Sequence, residues 1–458
     1  MSVDKLVDST QLDADLTSVA NAIRTKGGTS ASLAFPADFV SAIAAIPSGG
    51  GGAVWTRPAG WPNLDNLDIS SGNIAYLTYK ADEEVGFCDI TCKTSSGQYT
   101  VEVGTISGST FTADSTQSYN SNNACRLWFG SSVGTYKVIR VTGLLTAFNI
   151  NQGGVNQYGS VYRYNTDQGL LEVRAKLQTV TEMGFPRSPY LQRIYINSAN
   201  VSGFADKVRN IRALVVAELP YCVTANTTNL SNMFNGCPNL KLVDVTGWNT
   251  ENVTNMNAVF SSCYSLKTIT GIGSLNTGKV TNLSQMFTGC RCLEYVDVEN
   301  WNIEKCETLN NMFSNCDSLR SVDVSKWDTG AVKNFTNMFQ NCYSLEEVDI
   351  SDWDMSSQTE ANQVFQECGR IVSVGSVPDT IPTVGSNFFN GARNMLEFHF
   401  AKTTPPTLSS TNAFSNMTDA GGKKIYVPYS ADHSILNAYK TASNWSTYAS
   451  YIYEEAAP

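Results

Sequence analysis

The most reactive side chains in this sequence are twelve cysteines and two histidines. Six of the cysteines recur every 26 or 27 residues: Cys237, Cys263, Cys290, Cys316, Cys342 and Cys368. Neighbouring strands lie about 5 Å apart, whereas a disulfide needs Cβ atoms about 3.5–4.5 Å apart. The spacing therefore predicts buried, unpaired thiols that pack as small apolar groups.

The remaining candidates for metal binding and catalysis are weak. Cys88 with Cys92, and Cys290 with Cys292, lack the histidine or second cysteine pair that a zinc site needs. The histidines, His399 and His433, offer few bases for a nucleophilic relay, and His399 alternates with phenylalanines as an exposed strand residue does. We therefore expect no catalytic residue, no metal and no cofactor.

Four aspartates occupy one equivalent position, namely Asp244, Asp297, Asp323 and Asp349. Stacked carboxylates could attract Ca²⁺ or a basic ligand, and paired carboxylates are what a glycosidase uses. The alternative is that each aspartate accepts a hydrogen bond from the turn that follows it. We favour this structural role, because evenly repeated acids are typical of architecture and a catalytic pair is usually unique.

Composition excludes several function classes. The net charge of -10 and the absence of a Lys/Arg cluster argue against nucleic-acid binding. No apolar run reaches the ~18 residues of a membrane-spanning helix, so we expect no membrane insertion. The N-terminal residues lack the basic start and apolar stretch of a secretory signal, so we expect no signal peptide.

The periodic residues belong to an internal repeat. A phenylalanine lies three residues before each of the six cysteines, and an L-x-x-V-x-V run begins three residues after most of them, as at Leu319, Val322 and Val324. Apolar spacing of two predicts a strand with one buried face. A tryptophan follows the strand at Trp248, Trp301, Trp327 and Trp353, and Leu275 takes this place in one repeat.

A single repeat cannot bury its own apolar residues, but stacked repeats form one continuous core. Looser copies flank the regular repeats, and the spacing of apolar residues in one of them predicts that Val216 points into the core and Val215 points outward. The fold class is therefore mainly β with short helices: a leucine-rich-repeat solenoid preceded by a β-sandwich and a small N-terminal helical segment. The predicted domains are residues 1–47 (helical attachment), 48–53 (Gly-rich linker), 54–150 (β-sandwich), 151–166 (linker), 167–423 (solenoid) and 424–458 (C-terminal cap).

The repeat unit resembles a known family. The unit M-F-x-x-C-x-x-L-x-x-V-D-V-x-x-W-[ND]-T, as in residues 312–329, resembles the BspA-type leucine-rich repeats of bacterial surface proteins. Residues 424–445 resemble the ending of many BspA-like arrays. The stretches 11–17 and 35–39 resemble the opening of tail-associated proteins in phages of gut Firmicutes.

The outward strand positions vary between repeats while the core positions do not, which is how solenoids present a binding surface. We therefore predict a binding face formed by Arg174, Tyr195, Leu242, Asp244, Thr268, Tyr295, Asp297, Ser321, Asp323, Glu347, Asp349, Glu397 and His399.

The residues and the resemblances together predict a non-catalytic recognition protein, a phage tail fibre or receptor-binding protein that acts outside the cell as part of the virion. Its expected partners are a glycan or protein of the host cell surface and other tail proteins. The phage resemblance implies a homotrimer, assembled through Leu12, Leu16, Val19, Ile23, Phe39 and Ile43. The alternatives are a bacterial BspA-like adhesin and a polysaccharide-cleaving enzyme.

Overall fold

The structure is a computed structural model that describes residues 55–70, 73–80, 87–95, 97–120, 124–128, 135–151, 170–177, 182–185, 188, 190–197, 207–414 and 422–457. The predicted helical segment, its six oligomerisation residues and the Gly-rich linker lie outside these residues. The chain forms two compact units, Met1–Pro58 and Ala59–Pro458. In the described part of the first unit, the Arg57 guanidinium lies 5.3 Å from the centroid of the Trp55 ring.

The first part of the second unit is a two-layered β structure, as predicted. Its core contains Leu77 and Val101 from one sheet together with Cys92 and Phe148 from the other. Within the described residues, a short 3-10 helix (Leu64–Asn66) precedes β1 (Ile74–Lys80), β2 (Phe87–Thr94), β3 (Gln98–Ser107), β4 (Thr110–Asn120), β5 (Ala124–Trp128), β6 (Tyr136–Thr142) and β7 (Leu145–Asn151). Strands β1, β6, β3 and β4 are neighbours in one sheet, and β5, β2 and β7 in the other.

The first sheet continues directly into the solenoid. Strand β8 (Leu170–Lys176) pairs antiparallel with β1 on one side and parallel with β10 (Arg193–Asn197) on the other. The parallel pairing then runs through β11 (Val216–Glu218), β12 (Leu242–Asp244) and β13 (Thr268–Thr270), while β9 (Glu182–Gly184) joins β7. Backbone hydrogen bonds therefore cross the domain boundary that the sequence predicts between sandwich and solenoid. The predicted domain boundaries stay predictions.

Beyond β13 the repeats keep the alternating burial pattern of a β-strand, but fewer of their residues pair with the neighbouring coil as in a sheet. Val322 and Val324 are buried and Asp323 between them is exposed, as the spacing predicts. Isolated parallel bridges, such as Ser321 to Glu347, replace a continuous strand here. The remaining elements are a second 3-10 helix (Ile272–Ser274), β14 (Ser376–Val377), β15 (Thr383–Val384), β16 (Glu397–Phe400), β17 (Thr407–Leu408), β18 (Lys424–Val427), α1 (Ser434–Thr441), a third 3-10 helix (Trp445–Tyr451) and β19 (Ile452–Glu454).

Equivalent side chains of the repeats form internal columns, as predicted. The phenylalanine rings stack at centroid distances of 5.3 to 5.7 Å with interplanar angles of 4° to 8°, from Phe234 through Phe260, Phe287, Phe313, Phe339 and Phe365 to Phe389. Each repeated tryptophan donates its indole N–H to a carbonyl of the preceding coil, such as Trp327 to Val298 O at 3.0 Å. Stacking and these hydrogen bonds hold the coils in register.

Sequence reasoning missed the signal that shapes the return segment. Residues just before the Met-Phe pair have a left-handed backbone, with φ of 57° at Asn311 and 58° at Asn337. Asparagine tolerates this conformation better than most side chains. The Asn337 side-chain amide also donates to Asn311 Oδ1 at 3.1 Å, which links adjacent coils. The repeated asparagines therefore specify the turn as well as its stacking.

The last coils are closed by an aromatic cluster. Trp445 and Tyr439 are fully buried, and the Trp445 ring lies edge-on to Phe400 at 5.2 Å. Tyr439 donates its hydroxyl to the Lys402 carbonyl at 2.8 Å. Among the described residues, no helix is both long and apolar enough to cross a bilayer.

Candidate binding face

The predicted binding residues lie on the outward side of the solenoid strands, and we call this surface the strand face. It contains the thirteen residues from Arg174 to His399 named above. Strand register places Leu242 beside Thr268 and Asp244 beside Thr270, and a bridge joins Ser321 to Glu347. The structure therefore aligns equivalent positions of successive coils, each about 5 Å from the next.

One end of the strand face is covered, and we call it the junction end (Arg174, Arg193, Tyr195 and Glu218). The Arg174 guanidinium lies 4.5 Å from the centroid of the Tyr195 ring, and Tyr195 packs against the cluster that contains Leu64 and Leu67. Both predicted binding residues are half-buried here, whereas the sequence predicts exposed positions. The segment before β1 packs here, a long-range contact that no local pattern indicates.

Arg193 is the centre of the junction end. It bonds both carboxylate oxygens of Asp65 at 2.8 Å, Glu218 at 2.8 Å and the buried Glu172 at 3.3 Å. Burial lowers the pKa of Arg193, but the carboxylates of Glu218 and Asp65 outweigh this effect and raise the pKa above its ordinary value, which keeps the guanidinium charged. Sequence reasoning missed Arg193 and Glu218, although an Arg and a Glu at outward strand positions of adjacent repeats could have indicated a cross-strand pair.

The looser copy at residues 211–219 explains part of that omission. Val216 is buried, as predicted, but strand register pairs it with the outward residue Leu242 and pairs Ala217 with the core residue Val243. Side chains alternate along a strand, so a slip of one residue exchanges the inner and outer faces. Glu218 therefore lies on the strand face, beside Tyr195 and Asp244.

The middle of the strand face is open, and we call this part the open stretch (Thr268, Tyr295, Asp297, Ser321, Asp323, Glu347 and Asp349). All seven side chains are exposed. Tyr295 is 59% exposed, more than any other large apolar side chain among the described residues. Partial burial and the nearby carboxylates of Asp297, Glu299 and Asp323 raise the pKa of Tyr295.

Three of the four repeated aspartates have the structural role that the sequence favours. Asp244, Asp323 and Asp349 each accept a hydrogen bond from the backbone N–H two residues later, at 2.9 to 3.1 Å. Asp323 also accepts a bond from the Ser325 hydroxyl at 2.7 Å. These bonds with Ser325 lower the pKa of Asp323.

Asp297 differs from the other three. No hydrogen bond or ion pair to its carboxylate occurs within the described residues around it, where Glu299 takes the place of the Thr or Ser found in the other repeats. The carboxylate lies close to Gly273 of the preceding coil, since a Cβ atom added at position 273 would be 2.1 Å from Asp297 Oδ2. The carboxylate can occupy this position because residue 273 is a glycine.

The C-terminal members of the predicted face, Glu397 and His399, are engaged within the protein. His399 Nδ1 lies 2.6 Å from Glu455, Nε2 lies 3.6 Å from Glu397, and the imidazole stacks on Tyr426 at 5.0 Å. His433 lies 2.5 Å from Glu454. Each histidine is thus adjacent to a glutamate of the last strand region.

The cysteine column is buried and unpaired, as predicted. Each of the six thiols is within hydrogen-bond distance of a backbone carbonyl, at 3.0 to 3.2 Å, as Cys316 is to Phe287 O. Burial raises the pKa of Cys237 to about 12 and that of Cys263 well above its ordinary value. The described residues contain no cluster of three or more metal-ligating side chains.

A shallow groove near these strands lies at the corner that follows Trp327. It has a volume of about 420 Å³ and is lined by Lys326, Asp328, Asp352 and Asp354 among others. Asp328 and Asp354 accept hydrogen bonds from Gly330 and Ser356 N–H groups at 3.1 and 2.9 Å. These two carboxylates have the same turn-stabilising role as Asp323.

Part of the repeat array matches a family model. The model is described as "Mycoplasma protein of unknown function, DUF285" and matches residues 209–295, 228–321 and 293–374. A leucine rich cell surface protein from Faecalibacterium prausnitzii A2-165, a solved structure, is 14% identical to this chain, with a TM-score of 0.24. The match covers 60% of this chain and 93% of that one. A search of curated proteins gives no match.

Proposed function

We propose that this protein is a non-catalytic recognition protein that binds a partner at a cell surface through the open stretch of its strand face. One observation carries this proposal. The core columns repeat the same residue types in coil after coil, while the neighbouring outward positions change from Thr268 to Tyr295, Ser321 and Glu347. A rigid scaffold with a varied exposed surface is the arrangement that repeat proteins use for binding.

The contacts of the repeated aspartates also favour binding over hydrolysis. A glycosidase needs one carboxyl group that is kept protonated by its surroundings. Asp323 instead has a lowered pKa and accepts two hydrogen bonds from Ser325. The resemblance of the repeat unit to BspA-type surface repeats agrees with recognition at a cell surface. The tail attachment role depends on residues 1–47, which lie outside the described residues, and stays a prediction.

Binding of the fluorescently labelled protein to intact bacterial cells tests this proposal. We expect saturable binding that falls when Tyr295→Ala is introduced and is unchanged by Tyr343→Ala. Tyr343 is a matched control because it is 50% exposed and follows Cys342, away from the outward strand positions. Parallel cells stripped of surface glycan or treated with protease identify the class of receptor.

Two results would contradict the proposal. Equal loss of cell binding in the two tyrosine variants would remove the open stretch as the binding surface. Release of reducing ends from cell-wall glycans, abolished by Asp323→Asn, would establish an enzyme instead.

A further inference from the structure

The open stretch differs in charge from the rest of the strand face. Its outward positions carry the carboxylates of Asp297, Asp323, Glu347 and Asp349, and none of its seven residues is a lysine or arginine. The junction end, in contrast, contains Arg174 and Arg193, which bond to carboxylates of the protein. The open stretch therefore has a negative potential, which Lys326 beside Glu299 compensates in part.

The coil before Tyr295 is irregular within a regular array. The interval from Phe260 to Phe287 is 27 residues where the other intervals are 26, and Leu275 replaces the repeated tryptophan. This coil forms the 3-10 helix Ile272–Ser274, whose Gly273 accommodates the Asp297 carboxylate. The repeat is thus interrupted in this coil, and the Asp297 carboxylate does not stabilise a turn. A regular repeat does not require such a feature.

Tyr295 stands beside this carboxylate with its ring accessible. The equivalent positions on the two adjacent coils, Thr268 and Ser321, have short side chains, and the Tyr295 side chain is 59% exposed. An aromatic face and an adjacent carboxylate attract the same ligand group, an ammonium or guanidinium cation, through cation–π and ionic interactions.

We propose that the open stretch binds a basic polypeptide segment of the partner, with one lysine or arginine of that segment held between the Tyr295 ring and the Asp297 carboxylate. This inference rests on the proposed function and names its ligand class. The aligned carboxylates of Asp323, Glu347 and Asp349 lie on the following coils and extend the site. At about 5 Å per coil, a segment crossing them contacts several carboxylates in succession.

A direct binding measurement tests the proposal without knowledge of the natural partner. The probe is a fluorescent oligolysine of about ten residues, whose extended length of about 33 Å is more than enough to cross the four coils of the open stretch at about 5 Å per coil. Fluorescence anisotropy of the full chain should show binding that weakens as salt rises, since exposed charges are screened. Oligoglutamate and a neutral hexose oligomer serve as comparison probes and should not bind.

Variants locate the site. Tyr295→Ala should weaken oligolysine binding about fivefold and Asp297→Asn about threefold, the size expected of exposed cation–π and ionic contacts. Gly273→Ala should also weaken binding, because its methyl group would displace the Asp297 carboxylate. The matched controls are Tyr343→Ala and Glu251→Gln, which remove an exposed tyrosine and an exposed acid elsewhere and should leave the affinity unchanged.

Three outcomes would overturn the inference. Equal losses for Asp297→Asn and Glu251→Gln would mean that only diffuse charge attracts the probe. Absence of oligolysine binding would also refute it, and so would hexose binding that depends on Tyr295, which would establish a sugar site. Continued binding of the protein to intact cells in these cases would leave the proposed function standing, whereas loss of cell binding alone would refute the proposed function.

Discussion

The junction end and the open stretch occupy equivalent outward positions on coils of the same array, yet their side chains have different surroundings. Tyr195 packs against the Leu64 cluster beneath Arg174, whereas Tyr295 is 59% exposed. Arg193 bonds three carboxylates, whereas the Asp297 carboxylate bonds none within the described residues around it. The comparison teaches that position within a repeat determines the direction of a side chain, while contacts from outside the repeat determine whether it can reach a partner.

The largest expected difference concerns Arg193. Arg193→Ala should lower the free energy of unfolding by about 3 kcal/mol, because it removes the ion pairs of Arg193 with the buried Glu172 and with Asp65 and Glu218. Lys326→Ala, which removes an exposed ion pair with Glu299 in the solenoid, should leave the free energy of unfolding nearly unchanged. Urea denaturation followed by circular dichroism measures both. Equal values for the two variants would show that the junction end is not a stabilising network.

Thiol reactivity should distinguish the buried cysteines from the more accessible Cys292. Burial raises the pKa of Cys306 to about 11, while Cys292 is only half-buried. Only the thiolate reacts, so at pH 8 we expect iodoacetamide to modify Cys292 at least about 100-fold faster than Cys306 or Cys237. Peptide mass spectrometry over time measures the rates, and modification in urea is the control. Rapid labelling of the buried column in the native protein would contradict its packing.

The two tyrosines offer a matched pair of substitutions. Tyr195→Ala should lower the free energy of unfolding by about 1 to 2 kcal/mol, because it removes apolar contacts with the Leu64 cluster and the guanidinium contact of Arg174. Tyr295→Ala should change it by less than about 0.5 kcal/mol, as usual for exposed positions. Thermal unfolding monitored by calorimetry compares them. Similar destabilisation by both variants would mean that Tyr295 also has a packing role.

The smallest expected effect distinguishes two aspartates. The pKa of Asp323 is lowered below its ordinary value of 3.8 by its bonds with Ser325, so these bonds stabilise the fold at neutral pH. The stabilisation should be lost as pH falls through this lowered pKa. Asp323→Asn should therefore lower the free energy of unfolding by about 0.5 kcal/mol or less at pH 7, given the exposure of the side chain, and should not change it at a pH below the pKa of Asp323. Asp297→Asn should leave the free energy of unfolding unchanged under both conditions, and denaturant unfolding of each variant at pH 7 and at the lower pH checks this.

Much of the fold could be predicted from spacing alone. The intervals of 26 or 27 residues between successive phenylalanines, from Phe234 to Phe365, predicted stacked coils. The alternation of apolar and polar residues around Val322 predicted which side chains are buried. The column of unpaired thiols followed from the same periodicity. These predictions succeed because a repeat contacts mainly its neighbours, so its own sequence contains most of the information about its surroundings.

The candidate site was less accessible to sequence reasoning. Spacing identified Tyr295 and Asp297 as outward residues, but it gave the same status to Tyr195 and Arg174. The exchange of inner and outer positions at Val216 arose because a looser copy lacks the regular cysteine and tryptophan that fix register. Glu218 was missed for that reason.

The sequence by itself determined the repeating coil, its buried columns and the turn-forming role of the aspartates, because these depend on residues close in the chain or one repeat away. Only the tertiary structure decided that β8 joins the sandwich sheet to the solenoid and that the segment around Leu64 covers one end of the strand face. Those contacts join residues far apart in the chain, 91 positions between Tyr79 and Leu170 and 128 between Asp65 and Arg193. Strand pairing at such distance depends on the competition among all exposed edges and faces, which no local pattern contains.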